Sequence, residues 1–414
     1  MLPTAGDPSG AVLRNSFKPD TLDPSLFQTA VARGGRRLGE GGIGLSAGLA
    51  SDWRVNNFDL LRLLAALQVA VGHGIAILKP TGYLAHLLGA GLDRFPGVPI
   101  FFVISGVLIS KSYEHSDSLR DYLRNRCLRI LPGLWICLVV SVAVILALGV
   151  ASLGRITAPD WLLWWAGQMS IFQNFQAAFL EPLSTGLNYS LWTIPIELEF
   201  YIVLPALYGI LRLRRRLGNM RLLAIALASL AVQLLTVGAH PSGGQARAYS
   251  LLQVTLAPYL WMFLVGVSIQ RNWSTVRGWL FGRAHWWGLG YLMLCAAGRW
   301  LHVDTGGNYM NPVYLLPLAG LIVSLAMSAP QLSDRVLRHH DVSYGLYLYH
   351  MLVVHLLAVL AAPSGWAPIA AAIIVSLGLA ALSWTLVEKP YLRGKRGALR
   401  AVSDGSSVPA AIRP

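Results

Sequence analysis

The chain has 414 residues, 55% of them hydrophobic and 13% charged, with 33 Lys and Arg against 19 Asp and Glu and a formal net charge of +14. A soluble protein carries roughly 25% charged residues, so this composition excludes an ordinary water-soluble enzyme and argues for an all-α polytopic membrane bundle. The positive charge then reads as basic residues massed on one side of a bilayer, with no nucleic-acid partner.

Residues 1–51 are rich in Gly, Ser, Pro and Ala and lack an apolar core of signal-peptide length. They are expected to form a disordered cytoplasmic N-terminal tail, not a cleaved leader, ahead of a transmembrane domain at 52–391. The first apolar stretch, 58–78, is long enough to cross a bilayer and carries two ionisable residues, Arg62 and His73. Eleven residues at about 100° and 1.5 Å each return to nearly the same helix face roughly 16 Å further along. Ionisable groups inside a span are costly and usually face a bundle interior or a water-filled path. The plain alternative is a snorkelling Arg and a helix-packing His.

The second stretch, 95–111, contains FFVISG, in which Ser105 and Gly106 favour close helix approach, while the hydroxyl is also suited to lining a path. YLRNRCLRILP follows, with Arg126 and Arg129 three residues apart and therefore on one helix face, and Arg124 nearby. Paired guanidinium groups suit phosphates, although basic residues here also satisfy simple positive-inside topology. Further apolar stretches fall at 132–150, 190–211, 222–238, 252–270, 285–301, 312–329, 343–361 and 366–387, making about ten spans. The segment Trp161 to Phe175 is shorter, carries Gln168, Gln173 and Asn174, and is expected to be interfacial or re-entrant. It lies in the long 151–189 connection, whose Glu181, Asn188, Tyr189 and Trp residues suit a sugar or serve as interfacial anchors.

Lys and Arg set the orientation. The two tails and the even-numbered connections hold 27 of the 33, the odd-numbered connections hold 5, and Arg62 lies within the first span. Both termini are therefore expected in the cytoplasm, with 392–414 a basic C-terminal tail that pairs with Glu388. Counting residues then puts Glu197, in LWTIPIELEFY at 191–201, within a few ångströms of the depth of His73. A carboxylate beside an imidazole orients the ring for general-base work. Glu199 points elsewhere around the helix and fits a packing role, while Tyr344, Tyr347 and His350 fall in the cytoplasmic half of the membrane, where a lone His reads as hydrogen-bonded structure. Cys127, Cys137 and Cys295 are too dispersed for a disulfide framework or a metal site. No phosphate loop, dinucleotide-binding glycine fingerprint in a strand-to-helix context, zinc-spaced His and Cys cluster or convincing GxSxG elbow occurs.

In order along 57–391, Arg62 with His73, FFVISG, the RxxR of Arg126 and Arg129 with Pro132, LWTIPIELEFY, SYGLYLYH at 343–350 and VEKP at 387–390 together resemble the membrane-bound acyltransferase family 3, which includes bacterial O-antigen and exopolysaccharide O-acetyltransferases. The resemblance implies acyl transfer, usually of acetyl, from cytoplasmic acyl-CoA to a hydroxyl of a glycan or other acceptor across the bacterial inner membrane. It carries over Arg62 and His73 as the essential pair, Glu197 as the family's glutamate, and Arg126 and Arg129 on the donor side. Where many members have a second Glu, this chain has Leu198. The expectation is that His73 acts as base or as acyl-carrying nucleophile, that Glu197 supports its ring, and that Ser105 lines the donor path; no metal is expected. The competing reading is a transporter or flippase of glycans or lipids, which moves substrate without consuming a thioester.

Overall fold

The computed structural model describes residue 53 and residues 56–147, 158–172, 188–238 except 212 and 214–216, 244–361 except 330 and 339, and 364–392. The expected tails, apart from residue 392, fall outside the described residues, as do Gln173, Asn174 and Glu181.

Among the described residues every regular element is helical. The helices are α1 (Phe58–Leu78), α2 (Tyr83–Leu92), α3 (Gly97–Glu114), α4 (Leu119–Ala147), α5 (Ala158–Gln168), α6 (Thr193–Ile210), α7 (Gly218–Gly238), α8 (Gly244–Gln253), α9 (Leu260–Arg271), α10 (Trp273–Leu280), α11 (Ala284–Trp300), α12 (Pro312–Met327), α13 (Leu332–Leu337), α14 (Ser343–Ala361) and α15 (Trp366–Ser383). A π-helical turn, Trp384–Glu388, continues α15. Each of the ten apolar stretches carries a helix, and seven helical segments are long and apolar enough to cross a membrane. The other three stretches form α9, α11 and α12, of 12, 17 and 16 residues. Helix α5 has 11 residues, about 16 Å, too short to cross and consistent with an interfacial element.

The 252–270 stretch is not one helix. It unwinds between α8 and α9 around Pro258, which lacks an N–H and restricts the residue before it. Non-helical backbone at this depth needs protein partners, and it has them. Glu199 accepts the Leu256 N–H at 2.7 Å. Ser229 Oγ donates to the Ala257 carbonyl at 2.6 Å and accepts the Trp261 N–H at 3.0 Å. The packing role expected of Glu199 is therefore that of a backbone partner.

The polar residues singled out above lie on α1, α3, α4, α6 and α14. Helix α1 packs against α14, α3 and α15, and α3 runs close along α9. At that last contact a Cβ on Gly106 would overlap the Phe263 carbonyl, and one on Gly266 the Val103 carbonyl, so each backbone fills the place of the other's missing side chain. Glu388 is buried and accepts a hydrogen bond from Ser383 at 3.1 Å, while the tail expected to pair with it lies outside the described residues beyond residue 392.

Candidate active site

Asn57 fixes the start of α1. Its Nδ2 donates to the carbonyls of Ser328 at 2.6 Å and Ala329 at 3.1 Å, and its Oδ1 accepts the Ser333 N–H at 2.9 Å. Carbonyls at a helix C-terminus lack intrahelical partners, so this side chain ties α1 to the end of α12. Arg62 follows just over one turn later, and its Nη1 donates to Asp341 Oδ2 at 3.3 Å. Arg129 donates to the same oxygen. Asp341 is 7% exposed, and its Oδ1 accepts from the Ser343 N–H at 3.2 Å and the Ser343 hydroxyl at 2.5 Å, at the first residue of α14. A carboxylate is favoured at a helix N-terminus, and here it also compensates two partly buried guanidinium groups.

Arg126 is held differently. It donates to Ser112 Oγ at 3.0 Å, and its guanidinium lies 5.9 Å from the centre of the Tyr201 ring. Among the described residues it forms no ion pair, and its buried Nε has no hydrogen-bond partner. Arg62, Arg126 and Arg129 line one cavity of about 510 Å³, so the helix-face expectation for the RxxR pair holds.

Arg62 also walls a second cavity of about 30 Å³, lined by Phe101, Ser105, Glu197, Tyr344 and Tyr347 among others. That is room for little more than a water. Ser105 Oγ donates to Glu197 Oε1 at 3.1 Å, and the Tyr201 hydroxyl donates to the same oxygen at 2.8 Å. The expected Glu197–His73 pair does not form. Equal depth on two helices leaves the direction around each axis open, and here the carboxylate faces α3 while His73 faces α14.

Val98 and Tyr347 line both the narrow cavity and a third, of about 270 Å³, that contains His73. The Tyr347 hydroxyl lies 2.8 Å from the Ser190 carbonyl, to which it donates, and 2.7 Å from Thr193 Oγ1; its ring meets Phe101 edge-on at 5.5 Å. The three cavities thus lie in series, with Arg62 as the wall between the first two and Val98 and Tyr347 between the last two. His73 Nδ1 is 3.0 Å from Nε2 of His350, and the rings lie nearly coplanar, edge to edge, with centroids 5.3 Å apart and planes within 8°. Asn188, expected among groups suited to a sugar, is committed to the Leu348 carbonyl at 2.7 Å.

Residues 55–388 match the family described as Acyltransferase domain, acyltransferase family 3. The chain belongs to that family. It is 32% identical to nodulation protein 10 of Rhizobium leguminosarum bv. viciae over 82% of this chain and 93% of that protein. It is 25% identical to the O-acetyl transferase of Shigella phage Sf6 over 81% and 96% of the two chains, and 26% identical to acyltransferase MdmB of Streptomyces mycarofaciens over 73% and 79%. No solved structure matches. As a family 3 acyltransferase the protein has membrane acyl transfer as its class of chemistry.

Two residues of this acyltransferase's candidate site are not singled out by its sequence. Asp341 is a single acid directly before SYGLYLYH; the signal was that two arginines bordering apolar segments need a counter-charge. His350 is hydrogen-bonded as its sequence suggests, but beside His73 and so not in the cytoplasmic half, and nothing in its own helix points to that partner 277 residues away.

Proposed function

We propose that this protein is an O-acyltransferase of the bacterial inner membrane that moves an acetyl group from cytoplasmic acetyl-CoA to a hydroxyl of a cell-surface or lipid-linked carbohydrate. The single observation that carries this reading is the series of three cavities leading from three arginines to His73. The donor's phosphates sit in the first cavity against Arg126, Arg129 and Arg62, and the pantetheine arm is directed past Arg62 toward the narrow one, which holds little more than a water in this structure and must widen to admit the thioester. A short acyl group asks least of that opening between Phe101 and Tyr347. In the third cavity His73 takes the proton of the acceptor hydroxyl as its oxygen attacks the thioester carbonyl. Glu197, with Ser105, supplies the polar wall of the central passage. The expectation of a carbohydrate acceptor draws on the O-acetyl transferase relative.

Ten spans with both termini in the cytoplasm complete the proposal, and landmarks at the ends of the short helices support it. Helix α12 begins near Asn308, which lines the His73 cavity, and ends against Asn57, at the far end of α1. Helix α9 begins beside Tyr259, whose ring lies 5.4 Å from Trp192 of the His73 cavity. It ends at Arg271, ion-paired at 3.6 Å with Glu114 at the far end of α3. Helix α11 begins after Leu280, whose carbonyl accepts from Ser324 near the end of α12, and ends by Val303, which accepts from Tyr314 near its start.

The test is mass analysis of surface glycans from cells with and without the protein, paired with thiol release by protein purified in lipid nanodiscs. An acetyl mass lost with the protein, and lost equally with His73→Ala present at normal level in the membrane, is the expected result. Unchanged glycan masses, or full acetylation by His73→Ala, would reject it.

A further inference from the structure

The bond between the two coplanar imidazoles has a direction that its surroundings determine. His350 has no solvent exposure, and its Nδ1 faces two backbone carbonyls, Leu346 at 3.1 Å and Tyr347 at 2.9 Å. A carbonyl oxygen only accepts, so Nδ1 of His350 must carry a proton to satisfy either contact. In a neutral ring the other nitrogen, Nε2, is then a bare acceptor. Nε2 faces Nδ1 of His73 at 3.0 Å. Two lone pairs at that distance would repel, so the proton between the rings belongs to Nδ1 of His73. Its own Nε2 is left unprotonated, with no hydrogen-bond partner among the described residues, on a ring that lines the 270 Å³ cavity.

We propose that His350 is a positioning residue that holds His73 in its Nδ1–H form, so that the reactive atom of the transferase is Nε2 of His73. The proposal deepens the transferase reading and rests on it for its kinetic consequence. The acceptor O–H gives its proton to Nε2 as its oxygen bonds to the thioester carbon. The C–S bond then breaks, and the thiolate leaves as thiol by taking that same proton back from Nε2. Throughout, His350 Nε2 accepts from Nδ1–H of His73 and stabilises the imidazolium that forms, a task for which the sequence pointed to Glu197. The backbone carbonyls of α14 serve as the fixed end of the relay, which is why a buried neutral ring suffices where a carboxylate would carry a desolvation cost.

The full-length protein in nanodiscs supplies two separate readouts. In steady-state thiol release, His350→Leu is expected to lower kcat about 100-fold or more with donor KM within about threefold, the signature of an interaction that matters in the transition state. His350→Gln, whose amide oxygen can still accept from Nδ1–H, is expected to keep at least about tenfold more activity than the Leu variant. A purely structural role would lower the amount of folded protein in both and leave their kcat per folded molecule alike. Independently of any turnover, nitrogen NMR of protein labelled with 15N-histidine should give His73, identified by its loss in His73→Ala, as the Nδ1–H tautomer. Wild-type kcat in His350→Leu, equal kcat losses in the Leu and Gln variants, or a His73 ring protonated on Nε2 would each overturn the proposal. Because the tautomer is read without substrate, a failure of acyl transfer itself would register only in the thiol assay.

Discussion

Arg126 differs from the other two arginines of its cavity in having no carboxylate. Arg62 and Arg129 share Asp341, so replacing either alters both the charge offered to a ligand and the balance around a buried acid. Arg126 leans on Ser112 and the Tyr201 ring, which leaves its positive charge available. A charge-assisted contact to a phosphate contributes about 1.5–3 kcal/mol, so Arg126→Gln is expected to raise the acyl-CoA KM by about 10–100-fold. Its kcat should stay within about twofold, because the phosphates are bound alike in ground and transition states. Initial-rate measurement of thiol release checks this, and an unchanged KM would remove Arg126 from the donor site. At this scale the sequence was informative where chemistry is local: RxxR spacing put Arg126 and Arg129 on one face, and an eleven-residue step put Arg62 and His73 on another. Partners across helices were not legible. Counting residues along a span yields depth only, and it paired His73 with Glu197 when the direction around the helix axis selects His350.

Among the elements, the contact between α3 and α9 is the closest test of how much the fold depends on missing side chains. A methyl group on Gly106 would have to displace the Phe263 carbonyl, and no rotamer change relieves a backbone overlap. Gly106→Ala is expected to destabilise the protein by about 1–3 kcal/mol, the range for overpacking. Gly290, in α11, has no atom within 4 Å of its would-be Cβ, and Gly290→Ala should be neutral or stabilising by up to about 1 kcal/mol. The midpoint of heat-induced loss of monodisperse protein in detergent should fall for the first variant and hold or rise for the second. The opposite order would mean that α3 and α9 are not in this contact. Hydropathy located a helix in every apolar stretch because burial in lipid obliges the backbone to bond to itself. It did not reveal the break before α9, since Glu199 and Ser229 satisfy that backbone from other helices, and the break leaves no mark on an average of apolar residues.

For the whole molecule, the relation between α1 and α14 carries the most weight. Arg62 lies beside Asp341, and His73, eleven residues on, lies beside His350, nine residues on from Asp341. Both pairs advance in the same chain direction, so the two helices run parallel. Of the seven long apolar segments, α14 is the sixth, and a sixth crossing runs opposite to the first. Parallel packing therefore requires an odd number of α9, α11 and α12 to cross as well; if all three do, α14 becomes the ninth of ten. The consequence is measurable with single cysteines in a Cys127→Ser background, which removes the exposed native thiol. Asp117→Cys, between α3 and α4, and Leu337→Cys, in the arginine-lined cavity, should both react with an impermeant maleimide only after cells are permeabilised. Asn308→Cys, in the His73 cavity, should react in intact cells, and acyl-CoA should slow labelling at Leu337→Cys alone. Seven crossings would instead put positions 117 and 337 on opposite sides of the membrane, so labelling of Leu337→Cys in intact cells would overturn both the ten-span arrangement and the inward-facing donor cavity that depends on it.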